Sequence, residues 1–318
     1  MTLPVAIIIS ITCWVLASFL LPSLPEKKTT YSLFQVLDLS AIPYWANKAV
    51  SFILYAIIGY SLIELNSTFA IIRMRASVQT SLFLLFTAAC PVLHQLHAGN
   101  ITAIAILLSI YFLFKSYQAH QSSGDLFHSF LFIGIGSLAF PQFVILIPIW
   151  LIGAYNLQSL NIRSFFAAII GWSIPYWFLF GHAYYHGDMA LLYKPFIDLA
   201  SFQPINFRNV SLSDTVTIAY LFILFAVSSI HCLVTSYQDK IRTRSYLRFL
   251  IFLNFCLFIL LALQPMHIAC LLSSLLVGVS ILVGHLFVLT RNKISNLFFI
   301  FSLIGLISLY IFNLWMLL

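Results

Sequence analysis

The chain has 318 residues, of which 62% are hydrophobic and only 7% are Asp, Glu, Lys or Arg, with a formal net charge of +7. Charge this sparse excludes a water-soluble globular protein and indicates a membrane protein over the whole length. The expected partners are therefore membrane lipids, and no nucleic-acid partner is predicted.

Long apolar runs predict transmembrane helices, because a hydrocarbon core about 30 Å thick needs roughly 20 apolar residues per helix. The runs are too long and too evenly apolar for barrel strands. Residues 4–23 lack the basic start and the cleavage site of a signal peptide, so they are expected to remain as a span. Low-charge windows predict an all-α polytopic transmembrane bundle, one integral domain over residues 1–318, with about eleven spans at 4–23, 49–66, 77–93, 100–117, 126–139, 142–158, 164–183, 214–236, 246–263, 268–290 and 294–316.

The uncharged stretch between Asp125 and Arg163 decides the number of crossings. As one helix, its 37 residues would be about 56 Å long, nearly twice the hydrocarbon thickness. Pro141 and Gln142 lie near the middle, where a tight turn is expected. We therefore expect a hairpin with two crossings. The alternative, a single crossing, inverts the N-terminal half and leaves the charge balance of the two sides unchanged.

Lys and Arg residues predict the orientation, because short cytoplasmic loops accumulate them. With eleven spans, ten basic residues fall on one side, and five fall on the other: Lys27, Lys28, Lys48, Lys194 and Arg208. The side with ten is predicted to be cytoplasmic. The N-terminus is then cytoplasmic and the C-terminus external.

Five histidines lie on the predicted external side. His94 and His97 lie at the end of the third span, His182 ends the seventh span with His186 just beyond it, and His267 lies at the end of the ninth. His94 and His97 are three residues apart, a spacing that allows them to share a helix face. No third ligand occurs at a recognised spacing, so no metal site is predicted. The alternative for each histidine is a capping or hydrogen-bonding role.

Asp38 is the acid with the strongest case for catalysis. Residues 31–42 predict a short amphipathic helix in the membrane interface, with Ser32, Gln35 and Asp38 on its polar face. Partial desolvation there would raise the pKa of the Asp38 carboxyl toward that of a general base. The alternative is a solvated loop acid.

Lys194 and Arg208 lie in the second long external loop, residues 184–213. Basic residues are expected mainly on the cytoplasmic side, so these two external cations need a local explanation. An anionic headgroup or pyrophosphate is a local reason for cations there, and ordinary lipid-headgroup contacts are the alternative. Three other histidines and the five cysteines are expected to pack or form hydrogen bonds inside helices: His128, His231, His285, Cys13, Cys90, Cys232, Cys256 and Cys270.

Several short motifs resemble an uncharacterised, domain-of-unknown-function family of polytopic bacterial inner-membrane proteins. They are Asn66-Ser-Thr-Phe69 leading to Ile72-Arg73, Gly99-Asn100-Ile101, Tyr111-Phe-Leu-Phe-Lys115-Ser-Tyr117, Gly134-Ile-Gly136-Ser-Leu138 with Pro141, and Lys240-Ile-Arg-Thr-Arg244. The resemblance covers most of the chain. It implies the inner membrane and brings no known activity.

The layout also resembles, more loosely, the GT-C glycosyltransferases, polytopic enzymes that transfer sugars from polyprenyl-phosphate donors outside the cytoplasmic leaflet. Asp38, followed by Pro43-Tyr44, occupies the position of their catalytic Asp in the first external loop. The chain departs from them in having no acid pair in that loop and no soluble C-terminal domain. The resemblance implies a cell-envelope glycosyltransferase without a cofactor that uses a polyprenyl-phosphate-linked sugar and Asp38 as its base. The residues expected to bind substrate are His94, His97, His182, His186, Lys194, Arg208 and His267.

Two other functions remain open. A structural or accessory subunit of an envelope complex would use small residues such as Gly134, Gly136 and Ser137 for helix packing. A lipid or solute transporter would place charges or broken helices near the bilayer midplane, whereas these spans are almost free of charge.

Overall fold

A computed structural model describes residues 3–20, 43–72, 77–200, 210–289 and 293–318. The described residues are mostly helical and include no strand. They form twelve α-helices: α1 (Leu3–Leu20), α2 (Tyr44–Phe69), α3 (Val78–Ala88), α4 (Ala98–Lys115), α5 (Ser123–Ala139), α6 (Ile147–Asn156), α7 (Ile162–His186), α8 (Ala190–Ala200), α9 (Leu212–Val234), α10 (Ile241–Leu263), α11 (Ile268–Leu289) and α12 (Lys293–Leu317). Within the described ranges, short 3-10 helices occupy four connections: Pro91–His94, Pro141–Leu146, Ser236–Gln238 and Pro265–His267.

Eight of these helices are long and apolar enough to cross a membrane: α1, α2, α4, α7, α9, α10, α11 and α12. They support a membrane-embedded, multi-pass protein. The three other predicted spans coincide with shorter helices, namely α3, α5 and α6, with 11, 17 and 10 residues. Eleven crossings therefore stay a prediction. The sequence analysis also missed one helix, α8.

The chain divides into two compact units. Unit 1 contains α1, α3, α9 to α12 and α2 from Trp45 onward, and unit 2 contains α4 to α8. The centre of unit 1 is formed by α11 and α3, because every residue of α3 after Val78 is buried and most of α11 is as well. By contrast, α1 and α12 expose broad apolar faces, as lipid-facing helices do.

Two ends of unit 1 can be told apart by the residues that meet there. We call one of these ends the His94 end. There the start of α2 contacts the chain that follows α3, because the Leu96 amide donates a hydrogen bond to Asn47 Oδ1 at 2.7 Å. The bond between Tyr55 Oη and Ser273 Oγ, 2.8 Å long, joins α2 to the first turns of α11 near this end. His285 lies twelve residues further along α11, or about 18 Å. It marks the opposite end, which we call the Asp239 end.

Unit 2 contains a chain reversal. Ser122 Oγ, just before α5, donates to the Ser159 carbonyl at 2.5 Å, and the Gln118 amide donates to the Leu157 carbonyl at 3.1 Å. The chain therefore leaves and returns to the same place, turning through the 3-10 helix Pro141–Leu146. This reversal agrees with the expected hairpin. Whether each arm crosses the membrane stays a prediction.

Candidate functional site

The helices that flank the predicted catalytic loop meet at the His94 end. Asp38, the predicted interfacial helix 31–42 and Arg208 lie outside the described residues. However, α1 approaches this end through Trp14, whose ring stacks on His94, and α2 begins there through Asn47. Phe19 and Trp45, both exposed, place their rings 6.1 Å apart near the two helix ends. Exposed aromatic rings of this kind are typical of a membrane–water interface.

His94 is a buried, neutral imidazole at this end. It ends the 3-10 helix Pro91–His94, is 1% exposed, and lies with its ring centroid 3.9 Å from that of Trp14. The carbonyl groups of Thr87 and Ala88 lie beside the ring, although neither ring nitrogen reaches hydrogen-bond geometry. Burial, with a smaller contribution from the positive charge of Lys48, lowers the pKa of His94 to about 3.

Lys48 is a candidate site residue that the sequence pattern did not single out, because it fell among the loop cations that set the orientation. It lies in the second turn of α2 and is 4% exposed. The next turn of α2 contacts the backbone on both sides of His94, because Ser51 Oγ lies 3.3 Å from the carbonyl oxygens of Leu93 and Gln95. The carbonyl end of α3 lies against His94, and its partial negative charge favours a cation nearby. We call Trp14, Asn47, Lys48, Ser51 and His94 the Lys48–His94 cluster.

A polar network holds the interrupted end of α3 beside this cluster. Asn313 of α12 is buried, and its Nδ2 donates to the Ala89 carbonyl at 2.9 Å. Its Oδ1 accepts a hydrogen bond from Ser213 Oγ at 2.8 Å, and Thr217 Oγ1 lies 3.1 Å from Nδ2. With 11 residues, α3 is about 16 Å long, half the hydrocarbon thickness. The helix thus ends inside the protein, where the Asn313 side chain hydrogen-bonds a backbone carbonyl that has no partner within the helix.

The structure does not place His94 and His97 on one helix face, although their spacing allowed it. His97 precedes α4 with extended backbone, at φ −147° and ψ 171°, and its amide donates to Asn100 Oδ1 at 2.9 Å. The intervening Gln95 is extended as well. His97 belongs to unit 2 and His94 to unit 1.

The remaining predicted site residues are spread over both units. In unit 2 the structure brings His182 and His186 together near the end of α7, with ring centroids 4.4 Å apart. Lys194 is half-buried on α8. In unit 1, His267 is half-buried in the 3-10 helix before α11, at the His94 end. Within the described ranges, no three His, Cys, Asp or Glu side chains form a group that could hold a metal ion.

Comparisons with known proteins give no match. No family model matches the chain, and neither a curated protein nor a solved structure does.

Proposed function

We propose that this protein is a GT-C-like integral membrane glycosyltransferase that uses a polyprenyl-phosphate-linked sugar, and that the Lys48–His94 cluster binds the phosphate of the donor. The observation that carries the proposal is the burial of Lys48 next to the neutral ring of His94 at the break after α3. Sugar transfer develops negative charge on the departing phosphate, and a preorganised cation in a water-poor site stabilises that charge strongly.

Each group has a defined task. Lys48 offers a mobile point charge with three donors, and a neutral imidazole such as His94 offers one donor to a phosphate oxygen. The exposed apolar face of α1, which includes Ile8 and Phe19, leaves room for a polyprenyl chain in the lipid. Residues 21–42, which contain Asp38, join two helices that meet at this cluster.

The proposed reaction is a single displacement at the anomeric carbon. Asp38 removes the proton from an acceptor hydroxyl, and the hydroxyl oxygen forms a bond to the anomeric carbon. The bond from that carbon to the phosphate oxygen breaks, and Lys48 stabilises the phosphate that leaves. The products are the glycosylated acceptor and the polyprenyl phosphate.

Binding of farnesyl phosphate, a short polyprenyl phosphate, to the purified protein tests the phosphate site. We expect Lys48→Gln to weaken binding about 10- to 100-fold, because a charge-assisted hydrogen bond contributes about 1.5–3 kcal/mol. Lys115→Gln is the matched control, since Lys115 is exposed and pairs with Asp125 at 3.2 Å in unit 2. Farnesol, which lacks the phosphate, should bind both variants equally. Equal farnesyl phosphate affinity in a folded Lys48→Gln protein would contradict the proposal.

A lipid transporter is the second candidate, because the buried half-length helix α3 favours it. Discontinuous helices form the binding sites of many transporters. Asp38→Asn distinguishes the two: an enzyme loses about 100- to 10,000-fold in rate and fails to complement a deletion strain, while it still binds farnesyl phosphate. Movement of labelled farnesyl phosphate across liposomes that persists in Asp38→Asn, with full complementation, would favour transport.

A further inference from the structure

A thiol, an imidazole and a carboxylate meet at the Asp239 end of unit 1. Cys232 Sγ lies 3.3 Å from His285 Nδ1, and His285 Nε2 lies 3.6 Å from Asp239 Oδ2. Cys232 is near the end of α9, Asp239 follows the 3-10 helix Ser236–Gln238, and His285 is in the last turns of α11. None of the three is more than 5% exposed. We call them the Cys232–His285–Asp239 cluster.

The order of these atoms is the order that activates a cysteine nucleophile. A carboxylate beside one ring nitrogen favours the tautomer whose other nitrogen accepts the thiol proton. Such contacts are often long in the absence of substrate and shorten when it binds. Stability alone gives little reason for the cluster, because well-packed apolar side chains are often as stabilising as a buried pair of ionisable groups.

The surroundings of the cluster are apolar on one side and basic on the other. Leu233 and Val234, which follow Cys232, are more than half exposed on a membrane-length helix. Beyond Asp239, the exposed Lys240 precedes α10, and the exposed Arg242 has its guanidinium 5.6 Å from the ring centroid of Phe69. An acyl chain in the lipid with an anionic carrier at the surface fits this arrangement.

We propose that Cys232 is a nucleophile that accepts an acyl chain from an acyl thioester of an anionic carrier, such as a long-chain acyl coenzyme A. His285 Nδ1 takes the thiol proton while Cys232 Sγ forms a bond to the acyl carbonyl carbon. The carbon–sulfur bond of the donor breaks, and the donor thiolate leaves with the proton from His285. The products are an acyl thioester on Cys232 and a free carrier thiol, so no oxidant or reductant is needed.

Asp239 acts as a positioning residue for His285 and does not touch the donor. It follows a short turn that contains the exposed Tyr237. Because all three cluster residues are buried, the donor reaches them only if this turn moves aside. His231, which precedes Cys232, also lies within electrostatic reach of Asp239. The site is separate from the Lys48–His94 cluster and does not depend on glycosyl transfer.

The test uses the purified full-length protein in detergent and an alkyne-tagged palmitoyl coenzyme A. We expect the wild type to take up the tag as a thioester that neutral hydroxylamine removes, and Cys232→Ser to lose this label. Cys256→Ser is the matched control, because Cys256 is a half-buried cysteine on α10 in the same unit. It should label like the wild type. No label on the wild type, or equal label on Cys232→Ser, overturns the proposal.

The partners of Cys232 separate catalysis from packing. We expect His285→Gln to slow labelling about 100-fold or more, as loss of a general base does. Asp239→Asn should slow it less and shift the pH dependence of the labelling rate, which a merely structural contact would not change. Melting temperatures in detergent show which variants are folded. Labelling of the wild-type protein remains a test of the proposal even if a variant fails to fold. A folded His285→Gln that labels at the wild-type rate contradicts the role of the imidazole.

Discussion

Burial changes what Lys48 and His94 can do at the residue scale. The sequence window for the second span starts at residue 49, which leaves Lys48 in a loop, whereas α2 already begins at Tyr44 and carries Lys48 into the protein. His94 ends a short 3-10 helix and stacks on Trp14. A cation and a neutral imidazole that are both withdrawn from water are suited to hold an anionic group, because the interaction is less screened there.

Acid should destabilise the protein through His94. Its pKa is about 3 in the folded state and about 6.5 in the unfolded state, so the unfolded state binds more protons between these values. The free energy of unfolding therefore falls as the pH drops below about 6.5, by up to about 1.4 kcal/mol per pH unit from this group. Thermal unfolding in detergent between about pH 6.5 and pH 4.5 measures the slope.

We expect His94→Asn to remove this part of the slope. His120→Asn makes the same substitution at an exposed position and serves as the control. A His94→Asn protein with the full wild-type slope would show that His94 does not titrate as its burial implies.

At the scale of elements, the close packing of α5 against α7 depends on glycine. A Cβ at Gly171 would lie 2.3 Å from the Phe127 carbonyl oxygen, and one at Gly134 would lie 2.6 Å from the Trp172 carbonyl oxygen. Both obstacles are backbone atoms, so a side-chain rotation does not relieve them. Gly134, which the sequence analysis assigned to helix packing, thus lies at a real close contact.

Gly171→Ala should lower the free energy of unfolding by about 1–3 kcal/mol, because the two helices must move apart to admit the methyl group. Gly181→Ala is the matched control on the same helix, since a Cβ there meets nothing within 4 Å. It should change stability little. Chemical or thermal unfolding of both variants in detergent measures the difference, and similar stabilities would mean that the α5–α7 contact relaxes freely.

At the scale of the whole molecule, the two clusters of unit 1 lie at opposite ends of its helices. Asn313, near the end of α12, and Lys48, near the start of α2, lie at the His94 end. Arg242 and Arg244 follow Asp239 at the opposite end. A basic end is typical of the cytoplasmic side. In the predicted orientation, the sugar donor reaches the Lys48–His94 cluster from the external side. The acyl donor reaches the Cys232–His285–Asp239 cluster from the cytoplasmic side.

Reporter fusions test this orientation. We expect residues 31–47 to report outside and residues 242–244 to report inside. The bond between Ser122 and Ser159 returns the chain to one place, so fusions at these two positions should report the same side. A cytoplasmic report from residues 31–47 would invert the orientation of unit 1 and remove the external donor from the Lys48–His94 cluster.

The sequence alone determined the membrane class, the helical fold and the approximate position of each long helix, because the length of an apolar run is a local property. It also pointed to His94. It missed α8, an 11-residue amphipathic helix with an internal Pro195 that lacks the length of a span. Asp38 and Arg208 remain predictions from sequence, because they lie outside the described residues.

Only the tertiary structure decided which distant residues meet. His285 is 53 positions from Cys232 and 46 from Asp239, so their contact depends on how α9 and α11 pack and on the turn before α10. The burial of Lys48 likewise depends on the chain after α3 folding onto the start of α2. Apolar periodicity records which residues avoid water, but it does not record which helices become neighbours, because many pairings bury similar apolar surfaces.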